Sequence, residues 1–200
     1  MKRILILFAH PALEKSRVNK KLVSVAKAIE GITLHDLYEN YPRFDIDVER
    51  EQNQLLEHDI IIFHHPLYWY SCPPLMKQWI DLVFEHGWAY GSKGNALLEK
   101  FGLNIITVGG REIAYSKDGL NKHTIREFLT PFRQSFALCK MVPLPSFVIY
   151  GTHRFDSQAI EKSAEDYKKV LEVLRDEEVS IDELNKVEYL NNLLNRSEGV

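Results

Sequence analysis

Apolar residues are concentrated in four short, nearly continuous runs along the chain. The runs occupy residues 3–9, 59–64, 103–108 and 142–149. Each has the length of a strand, and uninterrupted apolar character is typical of parallel strands that are covered on both faces. An alternating stretch at residues 32–37 predicts a fifth strand. Because Pro143 and Pro145 cannot donate hydrogen bonds to a neighbour, we expect the last run to lie at an edge of the sheet.

Between these runs, apolar residues recur at helical spacing. Ser16 precedes one such pattern and Gly31 follows it, which predicts a helix with a capped start and a glycine stop. Further helices are predicted at residues 47–57, from Pro73-Pro74 onward, and from residue 156 or 157 to about 176. In the helix after Pro74, the residues predicted to pack in the core are Trp79, Ile80, Val83 and Phe84.

Strands that alternate with helices in this order indicate an open parallel sheet with helices on both faces, which is an α/β fold. We expect a domain over residues 1–176 and a helical extension of it over 177–200. The extension begins with a capping-box pattern, Ser180 to Glu183. The apolar stripe of its helix would consist of Ile181, Leu184, Val187 and Leu190 or Leu194.

Composition narrows the classes of protein to which the chain can belong. With 200 residues and 45% hydrophobic content, it can build one sizeable core. The apolar runs are far shorter than the roughly 20 residues that span a bilayer, and no signal-peptide pattern follows Met1, so we expect a cytoplasmic protein. Cys72 and Cys139 form no metal-binding spacing, and the adjacent His64 and His65 would point to opposite faces, so no metal site is expected. A net charge of −3 argues against a nucleic-acid partner.

The loops that follow the strands carry the candidate chemistry, because ligands of open parallel sheets bind at the carboxyl ends of the strands. The loop at residues 10–19 precedes a helix, whose free N–H groups could hold a phosphate with Ser16 and Asn19 as donors. In the alternative interpretation, Ser16 only caps the helix. The loop contains no glycine, which excludes the G-x-G-x-x-G and Walker patterns.

Two further loops at the same edge are candidates for ligand binding. Tyr68, Trp69 and Tyr70 follow the run at 59–64, and aromatic rings together with backbone amides suit a planar heteroaromatic ligand. The pair Gly109-Gly110 follows the run at 103–108. Two glycines permit close approach of the backbone to a ligand, or they form an ordinary tight turn.

Three motifs together resemble those of one known family. They are ILILFAHPALEKSRVNK, HHPLYWYSCPPLMKQWIDLVFEHGWAYG and ITVGGREIAY. They are similar to the motifs of the flavodoxin-like NAD(P)H:quinone oxidoreductases. Within that family, the chain most resembles the ancillary proteins of the bacterial glutathione-regulated potassium-efflux system. The middle motif, which is long and rich in tryptophan and proline, is the most specific of the three.

The resemblance implies a flavodoxin-like three-layer sandwich with a five-stranded parallel sheet in the order 2-1-3-4-5. It implies FMN as the cofactor, with FAD as the alternative, and NADH or NADPH as the electron donor. The flavin would accept a hydride at N5 and pass it to a quinone at the same site. The residues implied to bind the flavin are His10, Ser16, Arg17, Val18, Asn19, Pro66, Leu67, Tyr68, Trp69, Tyr70, Thr107, Val108, Gly109 and Gly110.

The residues at the positions of the family's candidate proton donors match the family less well than the three motifs do. Larger animal members of the family carry a tyrosine and a histidine after the double glycine. Tyr115 has the spacing of the tyrosine and is the candidate catalytic residue, as a hydrogen-bond donor at the substrate pocket; otherwise it is a half-exposed loop tyrosine. Asn121 takes the place of the histidine, and His123 lies two residues further on. An asparagine can donate a hydrogen bond but cannot transfer a proton at neutral pH.

The resemblance leaves three functional classes open. The first is a freestanding flavin enzyme that reduces quinones or other small electrophiles by two electrons. The second is a regulatory subunit of a membrane potassium-efflux antiporter with accompanying oxidoreductase activity, which would place the protein at the inner face of the membrane. The third is an electron-carrying flavodoxin without its own substrate. The resemblance also implies a homodimer in which each chain completes the site of the other.

Overall fold

The apolar runs form a parallel sheet. The computed structural model describes residues 1–176, 180–184 and 186–194. Its strands are β1 (Ile4–Phe8), β2 (Ile32–Asp36), β3 (Ile60–Pro66), β4 (Phe101–Thr107), β5 (Val142–Pro143) and β6 (Phe147–Ile149). The order is β2-β1-β3-β4-β5, all pairs are parallel, and β6 also pairs with β4. The predicted flavodoxin-like order 2-1-3-4-5 is therefore confirmed.

Helices connect the strands and cover both faces of the sheet. They are α1 (Arg17–Lys27), α2 (Leu37–Asn40), α3 (Val48–Glu57), α4 (Pro74–Val83), α5 (Ile125–Phe128), α6 (Thr130–Leu138), α7 (Ser157–Asp176), α8 (Ile181–Leu184) and α9 (Asn191–Leu194). Short 3-10 turns occupy Leu13–Lys15, Glu112–Ala114 and Thr152–Arg154. In the part of the chain that the structure describes, no helix has both the length and the apolar character needed to cross a membrane.

Side chains of the central strands point alternately into two apolar cores. One core contains the buried faces of α1 and α7, and the other contains those of α4 and α6. Trp79, Ile80, Val83 and Phe84 all lie in the second core, as the helical spacing predicted. Fully burying a large apolar side chain contributes about 1.5–3 kcal/mol, so these two layers hold the ends of the strands in fixed positions.

The fifth strand and the segment before it differ from the prediction. The run at 142–149 is not one strand, because β5 and β6 are separated by residues 144–146, where Pro145 cannot donate to β4. The sequence pattern predicted no element between Gly110 and β5, yet α5 and α6 lie there. The signal for α5 is a capping box, in which Thr124 Oγ1 accepts from Glu127 N and the Glu127 carboxylate accepts from Thr124 N.

The C-terminal extension is not the single helix that its pattern predicted. The capping box of Ser180 and Glu183 is present, but α8 ends at Leu184, and α9 follows after a turn. Of the predicted stripe, Leu184, Val187 and Leu190 are buried. Residues 177–179, 185 and 195–200 of the predicted extension lie outside the described residues.

Candidate functional site at the carboxyl edge of the sheet

A cavity of about 390 Å³ opens at the carboxyl edge of the sheet. Its wall is formed by the loop after β1 and the start of α1, the loop after β3, the end of β4 and the turn after β6. The lining residues are His10, Ala12, Lys15, Ser16, Arg17, Val18, Asn19, Pro66, Leu67, Tyr68, Thr107, Gly109, Thr152 and His153. The strand order reverses between β1 and β3, so this is the switch point at which open parallel sheets bind ligands.

The first turn of α1 forms one wall of the cavity. Ser16 caps the helix, since its Oγ accepts from the Asn19 backbone N at 3.2 Å and from Asn19 Nδ2 at 3.0 Å. Asn19 Nδ2 also donates to Thr107 Oγ1 at 3.1 Å and so ties the helix to the end of β4. The other N–H groups of this turn and the helix dipole attract an anion. Lys15 and Arg17 in the cavity lining add positive charge at the same end.

Asn19 retains an unused hydrogen-bonding atom inside the cavity wall. The residue is only 3% exposed, and its Oδ1 has no partner among the residues that the structure describes. An unsatisfied buried polar atom costs about 1–3 kcal/mol. A ligand that donates a hydrogen bond at this position would remove that cost, so the wall is suited to a ligand with a hydroxyl group near its anionic end.

His10 lies at the end of β1, with its ring edge facing Tyr68. Its Nδ1 accepts a hydrogen bond from Ala12 N at 3.1 Å, so the neutral ring carries its proton on Nε2. Burial lowers the pKa of His10, although the charge of Glu14 opposes the shift. The residue is therefore a neutral donor in the cavity wall near pH 7.

The loop after β3 makes a two-residue turn that exposes aromatic rings. Tyr68 and Ser71 exchange backbone hydrogen bonds of 3.1 and 3.0 Å. Trp69 and Tyr70 between them have φ values of 49° and 64°, as in a type I′ turn, which favours glycine and asparagine. Trp69 is 94% exposed and Tyr70 is 50% exposed. A tryptophan in left-handed backbone costs about 1–2 kcal/mol, and burial of its ring does not offset that cost here.

The double glycine after β4 lies against two aromatic side chains. A Cβ atom on Gly109 would come within 2.2 Å of the His153 ring, so only glycine fits beneath this histidine. A Cβ on Gly110 would lie 3.1 Å from the Tyr115 ring. The carbonyl oxygen of Val108 accepts from both the backbone N and Oγ1 of Thr152, which fixes the turn after β6 against this loop.

Tyr115 and Asn121 lie outside the lining of the cavity, where Tyr115 contacts Phe128 and Asn121 contacts Tyr70 of the turn after β3. Tyr70 Oη donates to Asn121 Oδ1 at 3.2 Å. His123 instead faces Glu127, with 3.7 Å between Nδ1 and Oε2. Burial raises the pKa of Tyr115, so its hydroxyl stays protonated at neutral pH. The His123 ring also lies edge-on to the Phe128 ring at 5.7 Å, and Asn121, which accepts the hydrogen bond from Tyr70, cannot transfer a proton.

His64 and His65 lie beneath the cavity at the end of β3 and pack on opposite faces of the sheet. The His64 ring contacts Phe8 and Tyr167, whereas the His65 ring contacts Phe132. Burial lowers the pKa of His64 to about 3 and that of His65 to about 4, so both rings are neutral at physiological pH. Both Nε2 atoms lack a partner among the described residues.

Most of the predicted binding residues line the cavity, and some lie beside it. Those outside the lining are Trp69, Tyr70, Val108 and Gly110. Four lining residues were not predicted from the sequence, namely Ala12, Lys15, Thr152 and His153. The signal that would have identified Thr152 and His153 is their position directly after the last strand, at the same carboxyl edge as the other three loops.

Comparison with known proteins gives one matching family model and close relatives. The model described as flavodoxin-like fold matches residues 2–171. The uncharacterized NAD(P)H oxidoreductase YdeQ of Bacillus subtilis (strain 168) is 46% identical over 167 residues, which cover 84% of this chain and 85% of YdeQ. The glutathione-regulated potassium-efflux system ancillary protein KefG of Enterobacter sp. (strain 638) is 41% identical over 165 residues, which cover 82% of this chain and 90% of KefG.

Two solved structures extend the comparison. General stress protein 14 of Treponema denticola in complex with FMN superposes with a TM-score of 0.81 at 36% identity, covering 86% of this chain and 99% of that chain. An NADPH-quinone reductase from P. pentosaceus superposes with a TM-score of 0.76 at 31% identity, covering 84% of this chain and 96% of that chain. The matched regions include every loop that lines the cavity, since the family model runs from residue 2 to residue 171.

Proposed function

This chain belongs to the family described as flavodoxin-like fold, and we propose that it is an FMN-dependent NAD(P)H oxidoreductase that reduces quinones or related electrophiles. The names of its relatives support this proposal, because they include an NAD(P)H oxidoreductase and an NADPH-quinone reductase. The observation that carries it is the cavity at the switch point of the sheet, where the N-terminus of α1 lies beside Asn19 Oδ1, an atom with no hydrogen-bond partner in the described part of the chain.

The residues of the cavity fit a flavin mononucleotide. The N-terminus of α1 with Arg17 would hold the phosphate, and Asn19 Oδ1 would accept from a hydroxyl of the ribityl chain. The backbone of Leu67 and Tyr68 would line one edge of the ring system, and Gly109 would lie along its pyrimidine side. FMN rather than FAD is proposed, which the FMN complex of the T. denticola protein supports.

Bound FMN would supply the redox chemistry, with a hydride from NADH or NADPH arriving at N5 and leaving to a quinone in a second step at the same site. The chain itself would position the reactants and stabilise charge. The N–H groups of Gly109 and Gly110 would donate toward the negative charge of the reduced ring. Tyr115 would donate a hydrogen bond at the substrate side, because its raised pKa keeps the hydroxyl protonated.

Protons for the acceptor would come from solvent in this proposal. Asn121, which takes the place of the family's histidine by spacing, accepts a hydrogen bond from Tyr70, and His123 lies against the carboxylate of Glu127. Without a dedicated acid among these residues, water is the proton source in this proposal.

A homodimer would bury the aromatic turn. Trp69, Leu120 and Ile113 are 94%, 86% and 77% exposed, respectively. Exposed large apolar side chains near one another mark interaction surfaces. A second copy of the chain that packs here would cover the open side of the site, in agreement with the homodimer that the motifs imply.

A second function is supported by the 41% identity to KefG. In this alternative the chain is an ancillary subunit of a glutathione-regulated potassium/proton antiporter and accompanies it at the inner face of the membrane, with the oxidoreductase activity retained. Co-purification with an antiporter from membranes would support this role. A protein that remains in the cytoplasmic fraction when an antiporter is present would contradict it.

The oxidoreductase proposal is tested by turnover of the purified protein. Loss of NADH or NADPH absorbance would be followed with FMN present, with and without the quinone menadione. We expect oxidation that depends on menadione and on FMN. Negligible oxidation of both nucleotides by the flavin-loaded protein would contradict the proposal and favour an electron carrier without its own substrate.

A further inference from the structure

The C-terminal segment at residues 186–194 lies beyond the residues that the family model matches, yet it contacts β6 and α5. It docks on the outer edge of β6. Asn191 Oδ1 accepts from Val148 N at 2.9 Å, and Asn191 Nδ2 donates to Val148 O at 2.8 Å. Leu190 N donates to Ser146 O at 2.9 Å. The segment therefore satisfies backbone groups of the last strand as a further strand would do.

Apolar contacts hold the same segment on the domain. Val187 and Leu190 are buried, and Leu190 belongs to the core that includes α7. Tyr189 points in the other direction and packs against the core that includes α4 and α6. The segment thus bridges the two layers at the open edge of the sheet, and this geometry fixes where the Tyr189 hydroxyl lies.

The Tyr189 hydroxyl caps the short helix α5, from which it is distant in sequence. Its Oη accepts a hydrogen bond from Arg126 N at 3.1 Å. Arg126 is the second residue of α5, and N–H groups in the first turn of a helix have no partner within the helix. A helix of four residues is marginal by itself, so α5 depends on caps, which Thr124 and Tyr189 provide.

Helix α5 in turn supports the aromatic turn of the site. The Phe128 ring stacks on Tyr70, with 4.9 Å between the centroids, and meets the Tyr115 ring edge-on at 6.4 Å. Tyr70 and Tyr115 form the side of the site on which the acceptor is proposed to bind. A continuous chain of contacts therefore runs from the edge of the sheet through Tyr189 and α5 to Tyr70.

We infer that Tyr189 is a positioning residue for the acceptor side of the site, through the hydrogen bond that fixes α5 and the Phe128 ring. The inference rests on the proposed oxidoreductase function for its effect on the acceptor, but the link between Tyr189 and α5 exists without it. Nothing in the motifs around the cavity predicts this role, because the residue lies 74 positions after Tyr115 and outside the matched family model.

The test compares Tyr189→Phe with Ser180→Ala in the full-length protein loaded with FMN. The first change removes one oxygen and keeps the ring. The second removes the cap of α8, where Ser180 Oγ accepts from Glu183 N, and leaves the Tyr189 contact in place. The measurements are KM and kcat for menadione, the Kd of FMN, the melting temperature, and the rate of tryptic cleavage after Lys122 and Arg126.

For Tyr189→Phe we expect KM for menadione to rise about fivefold, the effect of losing one net hydrogen bond. The kcat at saturating menadione and the Kd of FMN should change by less than about twofold, since the Phe ring retains the packing. Cleavage after Lys122 and Arg126 should accelerate because α5 is less firmly capped. Ser180→Ala should change neither KM nor the cleavage rates.

Each other outcome overturns the inference. If Tyr189→Phe lowers the melting temperature with KM unchanged, the residue is only structural. Faster cleavage with unchanged KM would show that α5 is held by Tyr189 but does not shape the acceptor site. If the unchanged protein does not oxidise NADH or NADPH, the proposed function fails and the acceptor role fails with it. The cleavage rates then still show whether Tyr189 holds α5.

Discussion

Two polar and aromatic regions of the molecule differ in whether their buried polar groups have hydrogen-bond partners. Glu51 of α3 is fully buried, and three side chains donate to its carboxylate: His35 Nε2 at 2.9 Å, Tyr41 Oη at 2.5 Å and Trp79 Nε1 at 2.7 Å. Burial alone would raise the pKa of Glu51, but these hydrogen bonds hold it below the usual value. The carboxylate is satisfied without a ligand.

The turn after β3 at residues 68–71, the aromatic turn, differs from the Glu51 network because it is strained and borders buried polar atoms without partners among the described residues. Trp69 and Tyr70 adopt left-handed backbone, and the Trp69 ring is almost fully exposed. In the cavity wall and at the end of β3, Asn19 Oδ1 and the Nε2 atoms of His64 and His65 are buried and have no partner among the described residues. Strain and unmet hydrogen bonds persist only where the rest of the structure imposes them, and they concentrate at functional sites. The two regions therefore differ as expected for a structural network around Glu51 and the proposed binding site at the carboxyl edge of the sheet.

The largest effect is expected from breaking the satisfied network. Glu51→Ala leaves the donors of Tyr41 and Trp79 buried without an acceptor and should lower the free energy of unfolding by about 3–5 kcal/mol. The matched control is Glu49→Ala, an exposed glutamate on the same helix, for which about 0.5 kcal/mol or less is expected. Urea denaturation measures both. Equal losses of unfolding free energy for the two variants would show that the hydrogen bonds to Glu51 do not stabilise the protein.

The buried histidines should make stability depend on pH. Their folded-state pKa values of about 3 and about 4 lie below the ordinary 6.5, so the unfolded chain binds more protons between these values. The free energy of unfolding should therefore fall as pH drops from 6.5 toward 4, by about 1.4 kcal/mol per pH unit for each histidine. Urea denaturation across this range would measure the slope.

The variant His64→Phe serves as the control for that slope. It keeps an aromatic ring against Phe8 but removes one titrating group. Its slope between pH 6.5 and 4 should be smaller by about 1.4 kcal/mol per pH unit. An unchanged slope would mean that His64 does not titrate differently in the folded and unfolded states.

Replacing Trp69 with glycine should relieve backbone strain in the aromatic turn and affect protein stability and FMN binding differently. Trp69→Gly removes about 1–2 kcal/mol of left-handed strain and adds about 0.5–1 kcal/mol of chain entropy in the unfolded state, so the free energy of unfolding should stay the same or rise by up to about 1.5 kcal/mol. The Kd of FMN should rise about tenfold, or about 1.4 kcal/mol. Glu99→Gly, at φ 63° on an exposed loop, is the control for strain alone. An unaltered Kd for Trp69→Gly would remove Trp69 from the binding site.

The smallest effect is expected at the cap of α1. Ser16→Ala should cost about 1 kcal/mol of stability, because the Asn19 N–H loses its acceptor. Asp47→Ala removes the corresponding cap of α3, which accepts from Arg50 N, and should cost a similar amount. Only the Ser16 variant should also weaken FMN binding. If both variants bind FMN as the unchanged protein does, Ser16 only caps its helix.

The fold could be predicted where residue pattern and tertiary environment agree. β1, β3 and β4 are buried on both faces, so their apolar runs identify them. Helix α5 was missed because it is only one turn long, although its capping box at Thr124 and Glu127 can be read from the sequence. Helix α6 was missed because its buried residues are only Phe132 and Phe136, which leaves a short apolar stripe. The fifth strand was predicted as one piece because the pattern does not show which N–H groups reach β4.

The candidate site, like the fold, could be predicted from the sequence only in part. The loops after β1, β3 and β4 follow from the strand ends, and they supply most of the cavity wall. His153 could not be placed over Gly109 from the pattern, since that contact depends on the left-handed Gly151 and on the Val108 carbonyl that holds Thr152. Likewise, the hydrogen bond between Tyr70 and Asn121 could not be predicted from the residue pattern.

The central claim, that the cavity at the switch point binds FMN, is tested most directly by identifying the chromophore. The purified protein would be saturated with a mixture of FMN and FAD, freed of unbound flavin and denatured, and the released flavin would be identified by mass. We expect the released flavin to be FMN, and we expect the Asn19→Ala variant to retain less of it. Release of FAD alone, or of no flavin at all, would contradict the central claim.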